Sequence, residues 1–456
     1  MQAVSSIEYH DTPIYYNKIR INHFIPIGAN CRYLKVPKVE QLEDLPRVFN
    51  KAINSPLNTL SLRELVLKYY KTGEKIVILV DDHTRPNLHT PIILPLLLEK
   101  LVSFGVKEQD VYLFIATGSH PPPTDELIRE RILGDQFEDW KDRIWLHDCD
   151  VDEMHQDLGL SELKTPIKID KRVLSASACI RIALSDSEYH YFAGISGSVK
   201  FFVPGSAARK TIRFNHSRIF DPNTGFKPAC RMANIKGNVC IQDIRNMVEI
   251  IKEEHPIFVI DAITHMGEIV NIFAGDIIAI HNNAVQQLRS IRDVSISEKA
   301  DLVIVTKPSV NFYQAGKGYD AASHAVKEGG SIVILAACPD GFGPQDYLDT
   351  VNEVRDKPYL EAMRWIIENR CSEDTFEVGI QNAVELFKIL EMTNGSLYVY
   401  SELDKTVLEK SFRVKTLKKR KNVQETLREF VLSYLKHHPD NLIYVFEDYN
   451  ILSKLS

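Results

Sequence analysis

The hydrophobic positions of the chain fall into short runs rich in Val and Ile, which alternate with longer stretches of helical periodicity. The run KIVILVDD precedes the stretch TPIILPLLLEKLVSFG, and the run DVYLFIATG precedes the stretch TDELIRERILG. We predict further strands at HPIFVIDAIT, DIIAIH, ADLVIVTKPS, GSIVILAACPD, SLYVYSE and NLIYVFED. Continuous apolar strands between helices are typical of parallel sheets that are covered on both faces. The pattern therefore predicts α/β architecture with mostly parallel sheets throughout.

The length of the chain and one polar segment predict how it divides into domains. A chain of 456 residues is long enough for two or three domains of ordinary size. The segment NNAVQQLRSIRDVSISEKA indicates a polar helix that joins two strand–helix series, the second of which begins at ADLVIV. We therefore expect a boundary near residue 285, with an N-terminal α/β domain over residues 1–285 and a C-terminal α/β domain over residues 286–456.

Composition and charge narrow the class of protein. Apolar residues make up 44% of the chain and charged residues 25%, which is ordinary for a globular protein. A net charge of −6 argues against a nucleic-acid partner, because such proteins usually present a basic face. The N-terminus MQAVSSIEYHDTPIYY has no apolar signal core, and no window has the roughly 20 apolar residues of a membrane span. We expect a cytoplasmic monomer or homodimer without a membrane partner.

The seven cysteines are scattered and form no CxxC pair, so neither a zinc knuckle nor a disulfide framework is predicted. We expect Cys338, at a strand end, to be a buried structural thiol.

The motif DDHTRP follows directly after the apolar run KIVILV. Ligands of open α/β sheets collect at the carboxyl ends of the strands. The planar guanidinium of Arg85 could there clamp a carboxylate or phosphate, Asp82 could orient it, and Thr84 could cap the following turn. An Asp–Arg pair that only stabilises the turn is the alternative.

Two further motifs carry side chains suited to acid–base chemistry and to anion binding. The motif ATGSH also follows a predicted strand, which makes His120 a candidate general base. In NFYQAGKG, Gln314 and Lys317 are three positions apart and share one face of a helix. An amide beside an ammonium suits a hydroxy acid or carboxylate; the alternative is a helix start with a solvated lysine.

The segment HYFAGISGSVKFFVPGSAARKTIRFNHS carries His190, Lys200 and His216. A lysine amine among small residues can carry a covalent group, and an imidazole can bind a metal or move a proton. A basic loop with two hydrogen-bonded histidines is the alternative. Because GISGSVK matches neither the P-loop nor the dinucleotide-binding spacing, we infer neither ATP nor NAD from it.

Taken together with FAGD (Phe273 to Asp276), the order and spacing of these motifs resemble the lactate racemase family, over about residues 75 to 340. The resemblance implies an isomerase, a racemase or epimerase of a 2-hydroxy acid that is lactate-like, larger, or a sugar acid. It implies two α/β domains with the active site in the cleft between them. It also implies a nickel-pincer nucleotide, pyridinium-3-thioamide-5-thiocarboxylic acid mononucleotide, which holds nickel through sulfur, carbon, sulfur and one histidine.

Carried over by position, the resemblance implies that Lys200 is the covalent tether and His216 the nickel ligand. It implies that His120 and His190 are the two general bases. It assigns cofactor contacts to Asp82, Thr84, Gly197 and Ser198. It assigns substrate contacts to Arg85, Tyr313, Gln314 and Lys317. Separate cofactor-biosynthesis proteins are the implied partners, so recombinant protein made without them is expected to lack the cofactor.

The chain departs from the family pattern at three places. Pro121 follows ATGSH where many members carry arginine, the lysine loop reads GSVK where a second glycine is common, and the region after residue 395 lacks a glycine-rich close. These departures leave the substrate open. One alternative function is a hydrolase or dehydrogenase with a simple nickel or zinc ion at His120, His190 and His216; another is a non-catalytic binding protein. The lysine loop favours the tethered cofactor, because a three-histidine site needs no lysine.

Overall fold

The computed structural model describes residues 7–40, 42–85, 87–265, 267–309 and 311–455. Strands and helices alternate along most of this length. The strands are β1 (Ile14–Tyr16), β2 (Ile19–Ile21), β3 (Cys31–Leu34), β4 (Lys75–Asp81), β5 (Val111–Ala116), β6 (Ile144–Leu146), β7 (His155–Leu160), β8 (Pro166–Asp170), β9 (Ala178–Asp186), β10 (Tyr189–His190), β11 (Gly194–Ile195), β12 (Phe220–Asp221), β13 (Gly225–Phe226), β14 (Ile257–His265), β15 (Glu268–Gly275), β16 (Asp293–Ile296), β17 (Ala300–Thr306), β18 (Val326–Leu335), β19 (Leu397–Tyr400), β20 (Lys415–Thr416), β21 (Ile443–Phe446) and β22 (Leu452–Leu455). The helices are α1 (Leu45–Asn54), α2 (Leu62–Tyr69), α3 (Thr90–Ser103), α4 (Asp125–Ile128), α5 (Phe137–Trp140), α6 (Lys171–Leu174), α7 (Arg209–Ser217), α8 (Val239–Glu254), α9 (Ile277–Arg292), α10 (Phe312–Ser323), α11 (Gln345–Glu353), α12 (Tyr359–Arg370), α13 (Ile380–Met392), α14 (Lys405–Lys410) and α15 (Val423–His437).

One compact unit comprises residues 38–219 and 228–290. Its main sheet has the strand order β15-β14-β9-β4-β5-β6 and is parallel except for β15, which returns antiparallel to β14. The interior of β4 is buried throughout, as expected of a strand covered on both faces. Because parallel strands end at one edge, the ends of β4, β5 and β9 bring Asp82, the loop of His120 and Asp186 to that edge.

The second compact unit comprises the described residues up to Pro37, residues 220–227 and the described residues from Ile291 onward. Its main sheet has the order β20-β19-β18-β17-β21-β3, and every pair in it is parallel. The outer strand β3 comes from near the start of the chain, yet it pairs with β21 from near its end. Helix α10, which carries the NFYQAGKG motif, follows β17.

The predicted α/β architecture with mostly parallel sheets is confirmed. Most of the predicted strands form, but the prediction of a strand at DIIAIH is wrong, because this segment lies at the start of α9. Asp276 Oδ1 accepts hydrogen bonds from the backbone nitrogens of Ile278 and Ala279, at 3.0 and 3.1 Å. A side chain that satisfies the first free N–H groups of a helix stabilises a helix start.

The predicted boundary near residue 285 stays a prediction, and the compact units follow a more interleaved course. The polar helix expected there is the second half of α9, and the chain passes from one unit to the other at residue 291. It also passes between the units at residues 38, 220 and 228. Within the described ranges, no helix is both long enough and apolar enough to cross a lipid bilayer.

Candidate active site

The loop after β5 places His120 against a carboxylate at the carboxyl edge of the sheet. His120 Nδ1 lies 3.0 Å from Asp82 Oδ2 and 3.2 Å from the hydroxyl of Thr84. An ionised carboxylate only accepts hydrogen bonds, so Nδ1 carries the proton and Nε2 keeps its lone pair. An imidazole held in this way has the proton arrangement of a general base.

The carboxylate of Asp82 is itself held firmly in its ionised form. Its Oδ1 accepts a hydrogen bond from the backbone nitrogen of Thr84 at 2.6 Å, and its carbonyl accepts one from the Asn87 side chain at 2.7 Å. Burial by itself would raise the pKa of Asp82. The charge and hydrogen bond of His120, with the charge of Arg85 and the Thr84 hydrogen bond, outweigh burial and bring that pKa well below its usual range.

The second candidate base, His190, ends β10 and has the opposite proton arrangement. The backbone nitrogen of Ala193 donates to His190 Nδ1 at 3.3 Å. Since Nδ1 accepts, the neutral imidazole carries its proton on Nε2. The ring stacks on Tyr191 with centroids 5.0 Å apart and meets Phe192 edge-on at 4.5 Å. In their neutral forms the two histidines therefore carry the proton on different nitrogens, His120 on Nδ1 and His190 on Nε2.

His216 lies in the last turn of α7 and is buried. Its ring contacts the same Phe192 ring as His190 does, with centroids 5.4 Å apart. Burial, and then the positive charge of Lys200, lower the pKa of His216 to about 3. The side chain is therefore a neutral imidazole at physiological pH, which is the form that binds a metal ion.

The lysine loop is shaped by glycine and strained backbone. Gly197 has a φ of +82°, and a Cβ on it would lie 2.6 Å from Ser187 Oγ and 2.7 Å from Ser185 Oγ. The next residue, Ser198, has a φ of +28°, a conformation that L side chains rarely adopt. Its backbone nitrogen donates to Ser185 Oγ at 2.8 Å, whereas its own buried hydroxyl has no hydrogen-bond partner in the structure. Backbone strain of this kind concentrates at ligand sites.

Hydrogen bonds join the loop of His120 to the loop of Lys200. The backbone nitrogen of Gly118 donates to the carbonyl of Gly205 at 3.1 Å, and the nitrogen of Gly205 donates to the carbonyl of Lys200 at 2.8 Å. The motifs ATGSH and GISGSVK, which are far apart in sequence, are therefore neighbours in space. This unit thus brings the predicted base and the predicted tether into one neighbourhood.

Two residues near Lys200 were missed from the sequence, because nothing in their local pattern marks them. His281 in α9 is fully buried, and Arg245 Nη1 donates to its Nδ1 at 3.2 Å. Burial, Arg245 and then Lys200 lower the pKa of His281 to about 3. Cys240 in α8 is also buried, and the positive charge of Lys200 also acts on its thiol. Both become neighbours of Lys200 only through the fold.

The predicted substrate residues other than Arg85 lie in the other unit, at the start of α10. The side chain of Asn311 caps this helix by accepting from the backbone nitrogen of Gln314 at 3.0 Å. Gln381 Nε2 donates to the hydroxyl of Tyr313 at 3.0 Å, which fixes that ring. Gln314 and Lys317 are both buried on the same helix. A helix N-terminus, an amide and an ammonium together suit a carboxylate.

The side-chain groups that could hold a simple metal ion are not the ones predicted. In the part of the chain that the structure describes, such groups are Asp81 with His89 and Asp186, and Asp148 with Cys149 and Asp150. The three histidines of the alternative hypothesis, at positions 120, 190 and 216, do not form such a group among the described residues. The structure therefore does not support a simple three-histidine metal site. Cys338 is buried, as predicted.

The chain is similar to known proteins over most of its length. Residues 16–227 match the lactate racemase N-terminal domain, and residues 296–430 match the lactate racemase C-terminal domain. The lactate racemase of Thermoanaerobacterium thermosaccharolyticum is 29% identical over 363 residues, which are 77% of this chain and 80% of the relative. The lactate racemase of Lactiplantibacillus plantarum is 30% identical over 317 residues, which are 68% of this chain and 70% of the relative.

The chain is also similar in fold to proteins of known structure. The lactate racemase apoprotein from T. thermosaccharolyticum matches with a TM-score of 0.79 and 25% identity, over 98% of this chain and 100% of that one. A Thermotoga maritima protein matches with a TM-score of 0.66 and 15% identity, over 91% of this chain and 100% of that one, and this likeness shows the fold alone.

An α/β fold of two compact units and these relatives define an isomerase of the racemase class. More narrowly, the chain belongs to the lactate racemase family.

Proposed function

We propose that the protein is a racemase or epimerase of a 2-hydroxy acid, working by reversible hydride transfer with a nickel-pincer nucleotide tethered to Lys200. The observation that carries the proposal is the placement of Lys200 within electrostatic reach of the buried, neutral His216. The loop of that lysine is hydrogen-bonded to the loop of His120. An attachment point, a metal ligand and a base thus come from one compact unit.

The residues fit the cofactor. A lysine amine can form the amide-type link, and a neutral imidazole can bind nickel. The glycine-rich turn at Gly197 lets backbone approach a flat ring closely. The unsatisfied hydroxyl of Ser198 is available to a ligand. When bound, the cofactor would supply a reversible hydride acceptor for the substrate carbon. Asp82 and Thr84 would contribute further cofactor contacts.

The two histidines handle the protons. In one direction, Nε2 of His120 takes the hydroxyl proton of the substrate while hydride leaves the carbon. The planar 2-keto acid then turns within the site. His190, once protonated to the imidazolium, would return a proton from Nε2 to the oxygen as hydride comes back to the other face. The opposite direction needs the two rings in exchanged proton states, which makes two bases necessary.

We assign the binding of the substrate carboxylate to two cationic side chains and one amide side chain. The guanidinium of Arg85 offers two parallel N–H donors, and Lys317 offers a compact charge. Gln314 adds a donor near the positive end of α10, and Tyr313 lines the site. Holding the carboxylate fixes the reacting carbon while leaving the groups around it able to turn. We propose that separate cofactor-biosynthesis proteins load Lys200.

The test is intact mass, peptide mapping and nickel analysis of protein made alongside the cofactor-producing enzymes. A nucleotide-sized adduct on Lys200 is expected, with about one nickel per chain. The Lys200→Ala variant should lose the adduct, and His216→Ala should keep the adduct but lose nickel. Lys210→Ala, which changes an exposed lysine of α7, is the matched control and should keep both.

Active protein with an unmodified Lys200 would overturn the proposal. Loaded enzyme is then offered a panel of 2-hydroxy acids and sugar acids, with both stereoisomers resolved by chiral chromatography. Interconversion of at least one pair is expected, and this panel identifies the substrate.

A further inference from the structure

A second group of metal-ligating side chains lies at the carboxyl edge of the same sheet. Asp81 is the last residue of β4, Asp186 is the last residue of β9, and His89 directly precedes α3. One ligand atom of each residue lies within 4.8 Å of those of the other two. The proposed racemase mechanism uses none of these three side chains, so their convergence needs a reason of its own.

The proton on His89 is placed by its surroundings. His89 Nε2 lies 3.2 Å from the carbonyl oxygen of Leu184. A carbonyl only accepts, so Nε2 carries the proton and Nδ1 of the neutral ring presents a lone pair. The side chain is 0% exposed, and its Nδ1 has no hydrogen-bond partner in the structure.

The unpartnered nitrogen faces a carboxylate. His89 Nδ1 lies 3.8 Å from Asp186 Oδ2, which is longer than a hydrogen bond. Two atoms that both accept therefore face each other in a buried place. Burial is also the main reason that the pKa of His89 lies below its usual value, which keeps the ring neutral. A cation between the two atoms would give His89 Nδ1 the partner that it lacks.

The charge around the group is strongly negative. Burial, and then the charge of Asp186, raise the pKa of Asp81 well above its usual range; Glu188 adds to this and Arg85 opposes it. Burial raises the pKa of Asp261 to about 7, with Asp186 adding a smaller contribution. The charges that act on Asp81 are thus those of Asp82, Asp186 and Glu188 against the single guanidinium of Arg85. In a buried place such an excess is relieved by bound protons or by a cation.

We propose that Asp81, His89 and Asp186 form a site for a divalent cation that prefers mixed nitrogen and oxygen ligands, such as Mn²⁺ or Zn²⁺. Metal–ligand bonds of about 2.1 Å put neighbouring ligand atoms ~3.0–3.4 Å apart and opposite ones ~4.2 Å apart. The 3.8 Å between His89 Nδ1 and Asp186 Oδ2 falls within that span. Water completes the coordination. This site is distinct from the one assigned to His216, and the inference does not rest on the proposed function.

A cation at this site would affect the reaction by holding catalytic side chains in position. Asp81 immediately precedes Asp82, the residue that holds His120. Fixing the end of β4 would fix the turn that carries Asp82, Thr84 and Arg85. The three metal-site residues are therefore positioning residues.

The binding test uses full-length protein with an unmodified Lys200, made without the cofactor-producing enzymes and stripped with a chelator. Mn²⁺ is titrated and the free ion is followed by electron paramagnetic resonance. About one Mn²⁺ per chain is expected, displaced by Zn²⁺. Binding should weaken by about tenfold or more in Asp186→Asn and His89→Gln. It should persist in Lys200→Ala and His216→Ala. The matched control is Asp150→Asn in the other acidic group, which should bind like the wild type.

A spectroscopic measurement on wild-type protein covers the case in which a variant at the buried His89 does not fold. Pulsed electron paramagnetic resonance of the Mn²⁺-loaded protein should show coupling to an imidazole nitrogen, which changes when histidine is labelled with ¹⁵N and persists in His216→Ala. Folded wild-type protein that binds neither ion would overturn the inference. So would Mn²⁺ without imidazole coupling, or loss of binding in Asp150→Asn. None of these failures would affect the adduct and nickel tests of the racemase proposal.

Discussion

Replacing Asp82 by asparagine should remove the base function of His120 while keeping the shape of the site. The backbone nitrogen of Thr84 donates to Asp82 Oδ1 at 2.6 Å, so in Asp82→Asn the amide oxygen stays at this position. The amide nitrogen then takes the place of Oδ2, 3.0 Å from His120 Nδ1. An NH₂ group only donates, so Nδ1 must accept. The proton of the neutral ring moves to Nε2, and the reacting nitrogen loses its lone pair.

The magnitude follows from what a positioned base contributes. General acid–base catalysis supplies a factor of about 10²–10⁴. We expect kcat of Asp82→Asn to fall by about 10³, which corresponds to about 4 kcal/mol in the barrier. KM should change little, because Asp82 acts through His120 on the hydroxyl proton. The equilibrium constant fixes the ratio of kcat/KM for the two directions, so both directions must fall by the same factor.

The assay is stereoisomer interconversion in both directions, with the adduct and nickel content of each sample measured by mass. Thr84→Val is the matched control, because it removes the hydroxyl that lies 3.2 Å from His120 Nδ1 and leaves the carboxylate in place. It should lose only a few-fold in kcat, in line with one neutral hydrogen bond. An equally loaded Asp82→Asn enzyme that keeps more than about one tenth of wild-type kcat would refute the assignment of Asp82 and His120.

Three further predictions concern the lysine loop and the pH dependence of stability. Ser198→Gly relieves a φ of +28° and removes an unsatisfied buried hydroxyl, so it should stabilise the unmodified protein by about 1 kcal/mol; a lower melting temperature would contradict this. Gly197→Ala should destabilise by about 2 kcal/mol and lower the yield of Lys200 adduct, both measured against wild type, because its Cβ meets two serine hydroxyls at 2.6 and 2.7 Å. Burial lowers the pKa of His147 to about 3. As the pH falls, this histidine is therefore protonated in the unfolded chain first, near pH 6.5. The stability that is present above that pH is lost as the pH falls toward 3. The His147→Gln variant should lack this loss of stability, which reaches about 1.4 kcal/mol per pH unit. Denaturant unfolding of the wild type and the variant at pH 7 and pH 5 measures the loss. Equal losses in the wild type and the variant would count against the reasoning.

The strand–helix order and the positions of several site residues could be predicted from the sequence, for a physical reason. A strand buried on both faces must be apolar throughout, so β4 and β5 are visible as Val- and Ile-rich runs. The residues that follow such runs lie at a known edge of the sheet, which is where Asp82 and His120 are found. Periodicity failed at DIIAIH, because a short apolar run fits a strand or a buried helix equally well. The cap formed by Asp276 decides for the helix.

The proton states of the site could not be predicted in the same way. Which nitrogen of the neutral His190 ring carries the proton depends on the Ala193 backbone nitrogen, whose direction is set by the turn between β10 and β11. The group that includes His89 was missed because its members come from the ends of three separate elements. Each of them looks ordinary in its own segment. Only pairing of β4 beside β9 brings them together.

The pairing of β3 with β21 has a consequence for how the chain folds as it is made. The strand at Cys31–Leu34 is synthesised long before its partner at Ile443–Phe446. All residues of the unit built on β4 and β9 are available once residue 290 has emerged. That unit can therefore form while the early strand still exposes an unpaired edge, which is open to aggregation. A nascent chain that stalls before residue 443 would keep this edge exposed, because the strand that covers it has not yet been made.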